Sequence, residues 1–399
     1  LRVAVVAPHY TTFIKGLTDA LSHYVDSVDV FVNCNPVGDV AFTLSKYLNV
    51  PIIRHAARLS KKLLIDLSNR PKNVDIHLFN LFYLIPVRAN LFLGKSLYRK
   101  LKKVGLETIQ KANLIHAHFA WPHGYAAICL GEELGIPVVV SAHGFDAYSL
   151  PFKGKHWFNM LKKVYDCSSH IITVSNKNKQ ILIERLGISP SKISVVYNGF
   201  NEEMFKPMDR KVARETLELP AHAKIVLNVA NLNPVKGHKY LIEAFAEVSG
   251  KVSNSLLVIV GDGPLRRDLE LYARNLGIGD KVMFTGFRPH SEIPLWMNAA
   301  DVFALSSLSE GNPTVIFEAL GTGTPVVATS VGGVPEVITS SDYGILVKPG
   351  NSKELAAKII EALEMKWDRD AIRSYALKFS WRSIAKQVAE IYSNVSLRS

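Results

Sequence analysis

Apolar runs of strand length alternate with amphipathic segments of helix length along the whole chain. The runs are VAVVAP, VDVFV, NLIHAHF, IPVVVSAHG and HIITVS in the first half, then KIVLNVAN, SLLVIVGDG, KVMFTGF, DVFALSS, TPVVATS and YGILVKP in the second. Short, continuous apolar runs of this kind read as strands buried on both faces, with the segments between them as crossover helices. The pattern predicts an α/β protein with parallel sheets. Because it plays through twice, it predicts two doubly wound domains.

The break between them falls where strand-like SVVYNGF gives way to polar EEMFKPMDRKVARETLELPAHAK, with Asn198-Gly199 as a turn and Pro207 and Pro220 as punctuation. The domains are therefore read as 1–205 and 206–375. A final amphipathic helix follows in 376–399, with Ser380 as its candidate N-cap.

Composition narrows the class. At 399 residues, 48% of them hydrophobic, the chain can bury two cores. Cys34, Cys129 and Cys167, with no CxxC, argue against a disulfide framework and point to a reducing, cytoplasmic setting. The first residues, LRVAVVAP, read as a buried strand and not as the apolar core of a leader. The most lipid-like stretch, LFNLFYLIPV, has ten residues, well short of the roughly 20 that cross a bilayer.

The net charge of +12 is concentrated in one place. Residues 54–111 hold thirteen Lys or Arg against Asp66, Asp75 and Glu107, and the basic residues are interleaved with Leu59, Leu63, Leu64, Leu78, Phe79, Leu81, Phe82, Tyr83, Leu91, Phe92, Leu93, Leu97 and Tyr98. That mixture suits a segment lying on an anionic membrane surface, on its cytoplasmic face. A solvated basic face on ordinary helices is the competing reading. Nucleic acid is not expected as a partner, because no nucleic-acid motif accompanies the charge.

The most informative segment is SEGNPTVIFEALGTGTPVVATSVGGVPE. Asn312 can cap a helix whose first position is Pro313 and which ends at Gly321 or Gly323. DVFALSS leads into it, so the helix would present its unpaired N–H groups at the carboxyl edge of a sheet, where anions bind. Glu310 and Glu318 would border that crevice. Two carboxylates repel a phosphate, so they read as acceptors for sugar or ribose hydroxyls. Lys236, at the loop-to-helix junction of NVANLNPVKGHKYLIEAF, offers the cation a diphosphate needs. Gly261-Asp262-Gly263-Pro264 is a generic strand exit. In the first half, HAHF and AHGFD end apolar runs and place His118, His143 and Asp146 on one rim, completed by His9, Tyr10, Thr11 and Thr12. Their spacing matches no HExxH pattern, and no metal site is expected.

Together these motifs resemble the retaining, nucleotide-sugar-dependent glycosyltransferases of family four. The resemblance runs from HAHF and AHGFD through VVYNGFNEEMF, NVANLNPVKG, VGDGP, FTGF and the Glu-x7-Glu element to FSWRSIAKQVAEIY. It implies the GT-B fold: two Rossmann-like, doubly wound domains facing a central cleft, with the donor held by the second and the acceptor by the first. It implies that Glu318 holds the ribose hydroxyls and that Glu310 lies near the donor sugar, with the amides of Gly311, Asn312 and Thr314 around it. Lys236 would contact the diphosphate, His143 would face the transferred sugar, and Gly286 and Phe287 would lie where the base is held. Asn231 stands where many relatives carry an Arg on the diphosphate, which leaves more of that charge to Lys236 and to the helix beginning at Pro313. The implied reaction moves a sugar from a nucleotide-diphosphate sugar, a substrate and not a cofactor, to a glycan or lipid-linked acceptor. Anomeric configuration is retained and no metal is needed. A nucleotide-sugar epimerase of similar two-domain fold is the alternative, and a non-catalytic sugar-nucleotide binder is a third.

Overall fold

The computed structural model describes residues 1–45, 59–83 and 90–397. They form two compact units, Leu1–Tyr197 with Trp381 onward, and Asn198–Ser380. These divisions differ from 205 and 375 because Phe200 bridges to Ser380 and Phe205 is fully buried, which ties both ends of the second unit together.

Seven parallel strands build the first unit: β1 (Arg2–Ala7), β2 (Ser27–Cys34), β3 (Val74–Asn80), β4 (Leu114–His118), β5 (Val138–Ala142), β6 (His170–Thr173) and β7 (Ile193–Val195). Their order is β3-β2-β1-β4-β5-β6-β7. The second unit has β8 (Lys224–Val229), β9 (Ser255–Val260), β10 (Val282–Gly286), β11 (Val302–Leu305), β12 (Val326–Thr329) and β13 (Gly344–Val347), in the order β10-β9-β8-β11-β12-β13. Each sheet reverses its winding once, between β1 and β4 and between β8 and β11. At such a switch point the flanking loops diverge and leave a crevice at the strands' carboxyl ends.

Central strands match the apolar runs because helices cover both faces. Every residue of β4, β5, β11 and β12 is buried. The edge strand β3 was not among the expected strands. Its VDIHLFN alternates, and its polar positions are met locally: His77 stacks on Phe31 at 4.6 Å and pairs with Asp29 at 2.7 Å. A half-wet edge strand need not carry the continuous apolar signal, and β3 does not.

Two helices close one face of the first sheet, α1 (Thr12–Leu21) and the terminal helix Trp381–Ser396. The terminal helix buries Trp381, Ile384, Ala385, Val388, Tyr392 and Val395, a stripe at helical spacing. Gly16 on α1 allows the contact, since a Cβ there would lie 2.2 Å from the Trp381 indole nitrogen. Inside, Tyr392 bonds His116 Nδ1 at 2.6 Å.

The basic window is only partly surface. Arg54, Arg58 and Arg88 lie outside the described residues. The helix Leu93–Ile109 buries Leu93, Leu97 and Leu101 in the core and turns Lys95, Arg99 and Lys103 outward, while Lys102 is neutralised by Glu133. Phe79 and Leu81 are also core residues, so they do not belong to an apolar membrane face; Leu63, Leu78, Phe82 and Phe92 remain exposed. No helix among the described residues is long and apolar enough to cross a membrane.

Candidate functional site

In the second unit, Lys236 follows β8, while Glu310 and the helix Thr314–Gly321 follow β11, so they flank the switch point between those strands. The Lys236 loop is pinned by close packing. A short turn, Pro234–Lys236, leads to Gly237, which has φ +64 and opens the helix His238–Lys251. A Cβ at Gly237 would lie 2.1 Å from the Ser306 carbonyl oxygen, and Ser306 Oγ donates to the Lys236 carbonyl at 3.0 Å. Only glycine permits both the left-handed turn and that approach.

Lys236 Nζ reaches Glu310 Oε1 at 2.7 Å, with the two side chains 22% and 10% exposed. Ser307 Oγ donates to the same oxygen at 2.6 Å. Glu310 is thus the counter-ion of Lys236 through one carboxylate oxygen, a pairing that the spacing of the two glutamates did not announce. Ser307, read only as the end of a strand, is the group missed here. The loop carrying Glu310 is held from behind, with Gly333 donating to the Gly311 carbonyl at 2.9 Å.

Asn312 does not cap the helix. Its Oδ1 accepts from the Asn198 backbone N–H at 2.9 Å and its carbonyl accepts from Asn198 Nδ2 at 2.8 Å, so it fastens the start of the unit to this loop. Pro313 occupies the cap position and makes no side-chain cap bond. The first N–H groups of a helix have no intrahelical acceptor, and here they begin at Thr314. The Asn312 Nδ2 is buried with no hydrogen-bond partner among the described residues. Asn231 is exposed on the loop after β8.

Glu318 lies one turn into that helix, and its side chain is only 9% exposed. Its Oε1 is 2.8 Å from His290 Nε2. His290 was not among the expected site residues. It stands four positions past Gly286, beyond the exposed Phe287, in a turn that follows β10. A single polar residue in a loop carries no periodic signal; the only available hint was an imidazole just past the presumed base-binding loop.

In the first unit, the histidines gather at the other switch point. His9 follows β1, and His118 ends β4. His118 Nδ1 and His143 Nε2 are 2.9 Å apart, and the His143 ring is packed against Phe13 and Phe119. His143 Nδ1 is buried with no partner among the described residues. Burial lowers the His143 pKa to about 3, aided by His116 and His9, and holds His118 well below the ordinary value for the same reason. Burial thus favours the neutral form of both rings, and of the two facing nitrogens one donates to the other according to the tautomer.

Asp146 and Tyr10 leave the expected rim. Asp146 is buried and accepts from the backbone N–H groups of Ala120 at 2.9 Å and Gly144 at 3.0 Å, so it shapes the loops after β4 and β5. Burial raises its pKa to about 6 against those hydrogen bonds. Tyr10 is buried and its hydroxyl donates to Asp19. No cluster of His, Cys, Asp or Glu among the described residues is arranged to hold a metal ion.

Comparison with known proteins identifies the family and the fold. The family described as Glycosyltransferase Family 4 matches residues 51–204, and Glycosyl transferases group 1 matches residues 209–379. An uncharacterised glycosyltransferase of Methanocaldococcus jannaschii is 30% identical over 340 residues, which is 81% of this chain and 86% of the relative. The Escherichia coli UDP-Gal:alpha-D-GlcNAc-diphosphoundecaprenol alpha-1,3-galactosyltransferase is 31% identical over 261 residues, 63% of this chain and 65% of the relative. In structure, Anabaena HepE in complex with UDP-glucose superposes with a TM-score of 0.74 at 22% identity, over 98% of this chain and 99% of HepE. At that identity the likeness speaks to fold, and the fold is GT-B. The epimerase alternative gains no support from these relatives. With two Rossmann-like units, a lysine and a helix start at the second switch point, and relatives of this kind across most of its length, the chain belongs to the family-four glycosyltransferases.

Proposed function

We propose that the protein transfers a sugar from a nucleotide-diphosphate sugar to a glycan or lipid-linked acceptor, retaining configuration at the anomeric carbon. The observation that carries this reading is Lys236, in the loop after β8, paired across one switch point with Glu310, in the loop that leads from β11 into the Thr314–Gly321 helix. A diphosphate entering there would draw the Lys236 ammonium from Glu310 and meet the amides at Thr314. As the bond from the anomeric carbon to the diphosphate oxygen breaks, charge grows on that oxygen, and these donors stabilise it. The acceptor oxygen bonds the anomeric carbon on the same face, and its proton passes to the departing diphosphate. Lys236 and the helix start supply the positive charge, so the reading needs no metal. UDP is the favoured nucleotide, given the UDP-galactose enzyme among the relatives and the UDP-glucose complex of HepE.

The test is donor turnover with EDTA present, with product configuration read by NMR. An inverted product, loss of turnover on chelation, or sugar conversion while still attached to the nucleotide would overturn the reading. The outward Lys95, Arg99 and Lys103, next to exposed Phe92, support a peripheral position on an anionic membrane face. Reversing those three charges should weaken recruitment to anionic vesicles at low salt, and equal binding to neutral vesicles would remove the idea.

A further inference from the structure

We propose that His290 is a positioning residue for the donor nucleotide, holding the Glu318 carboxylate in the orientation that grips the ribose diol. The inference rests on the reading of Glu318 as the ribose ligand and adds the residue that aims it. Glu318 sits on a helix whose own hydrogen bonds fix its backbone, but a glutamate side chain retains three rotatable bonds. A carboxylate accepts at about four positions, and His290 Nε2 takes one of them at 2.8 Å. The other positions remain for two vicinal hydroxyls. A carboxylate that is only 9% exposed would otherwise have to be steered by water that the nucleoside displaces on binding.

The imidazole is itself held. Its ring lies 5.2 Å from that of Phe205, which is fully buried. Its turn is closed by the Glu292 N–H donating to the Pro289 carbonyl at 2.9 Å, and the neighbouring Arg288 lies over the Trp296 ring at 5.6 Å. The same loop begins at Gly286 and Phe287, where the base is expected. One short segment therefore joins the base contact to the ribose carboxylate, so a nucleoside that seats its base also meets an oriented Glu318. At 41% exposure the His290 side chain is reachable from solvent, which places the pair at the edge of the site and not in the core.

Ribose lies away from the reacting carbon, so its contacts act alike on the bound donor and on the transition state, and their loss raises KM more than it lowers kcat. His290→Ala should weaken UDP binding and raise donor KM by roughly 5- to 20-fold, with kcat changed less than about threefold. His290→Gln places an amide nitrogen where Nε2 stood and should recover most of the affinity. Inorganic pyrophosphate, which has no ribose, should bind wild type and His290→Ala equally well, an outcome that general damage to the unit would not give. The measurements are calorimetric titrations of wild type, His290→Ala, His290→Gln and Glu318→Ala with UDP, GDP, ADP and pyrophosphate. If Glu318→Ala weakens nucleotide binding and His290→Ala does not, the positioning role is overturned while the ribose assignment stands. If Glu318→Ala binds every nucleotide as wild type does, the ribose assignment fails and this proposal falls with it. Equal losses in His290→Ala and His290→Gln, or parallel losses for pyrophosphate, would show a packing role and also overturn it.

Discussion

Replacing Lys236 with Met tests the centre of the proposed site, because it keeps most of the side-chain stem and removes only the charge. Without a donor, the change leaves Glu310, 10% exposed, with Ser307 as its remaining side-chain hydrogen-bond partner. Stranding one member of a buried ion pair costs about 3–5 kcal/mol, whereas exposed pairs are worth about 0–1. With the ammonium 22% exposed, screening brings the expected loss to about 1–2 kcal/mol. For a unit of roughly 180 residues, each kcal/mol moves Tm by about 2–4 °C, so the second unit should melt about 2–8 °C lower. Glu310→Gln in the same chain removes the stranded charge but keeps an acceptor for Ser307, and should restore part of that loss. With a donor, losing a charge-assisted contact worth about 1.5–3 kcal/mol should lower kcat/KM by roughly 10- to 150-fold. Calorimetric unfolding of wild type and the two variants, and donor turnover at varied concentration, read both effects. A Tm within 1 °C of wild type together with kcat/KM within about threefold would refute the assigned geometry.

Three further outcomes follow from particular residues. In the first unit, burial depresses the pKa of His116, His123 and His143 to about 3, below the unfolded value of 6.5. Their stabilising contribution is therefore present above pH 6.5 and lost as pH falls toward 3, offset in part by Asp146, raised to about 6, whose protonation favours the folded state below that value. Thermal scans between pH 7.5 and 4.5 should show the first unit's transition falling steadily, and a flat profile would contradict neutral burial of these rings. His238 is buried with no hydrogen-bond partner for either ring nitrogen among the described residues, so His238→Leu should hold or raise Tm, and a fall of several degrees would show that the imidazole is satisfied after all. Gly237→Ala forces a Cβ against the Ser306 carbonyl at a positive φ, so it should lower the second unit's Tm and raise donor KM together; a change in neither would mean that the loop tolerates the shift.

Much of the site was legible because it rests on one-dimensional signals. Lys236-Gly237 reads as a loop-to-helix junction, and the Glu310 and Glu318 spacing as a loop carboxylate and a helical one at a strand exit. Partner choice was not legible. Nothing local to Glu310 says that Lys236, 74 positions away, will claim its oxygen, or that Asn312 will bond Asn198 instead of capping the helix that follows it. His290 was invisible for the same reason, since its meaning comes only from Glu318. The basic window was misjudged in part because leucines at helical spacing look alike whether they face a core or a lipid; Leu93 and Leu97 face the core.

By itself the sequence determined two parallel-sheet α/β units, because continuous apolar runs between amphipathic segments can satisfy their backbones and bury both faces in few other ways. It also marked the strand exits rich in Gly, Pro, Lys and His as the candidate loops, since those residues are written next to one another in the chain. Only the tertiary structure decided how those side chains pair: Lys236 with Glu310, His290 with Glu318, His118 with His143. Hydrogen bonds and ion pairs act over about 3 Å, and it is the winding of each sheet that brings residues distant in the chain to that range.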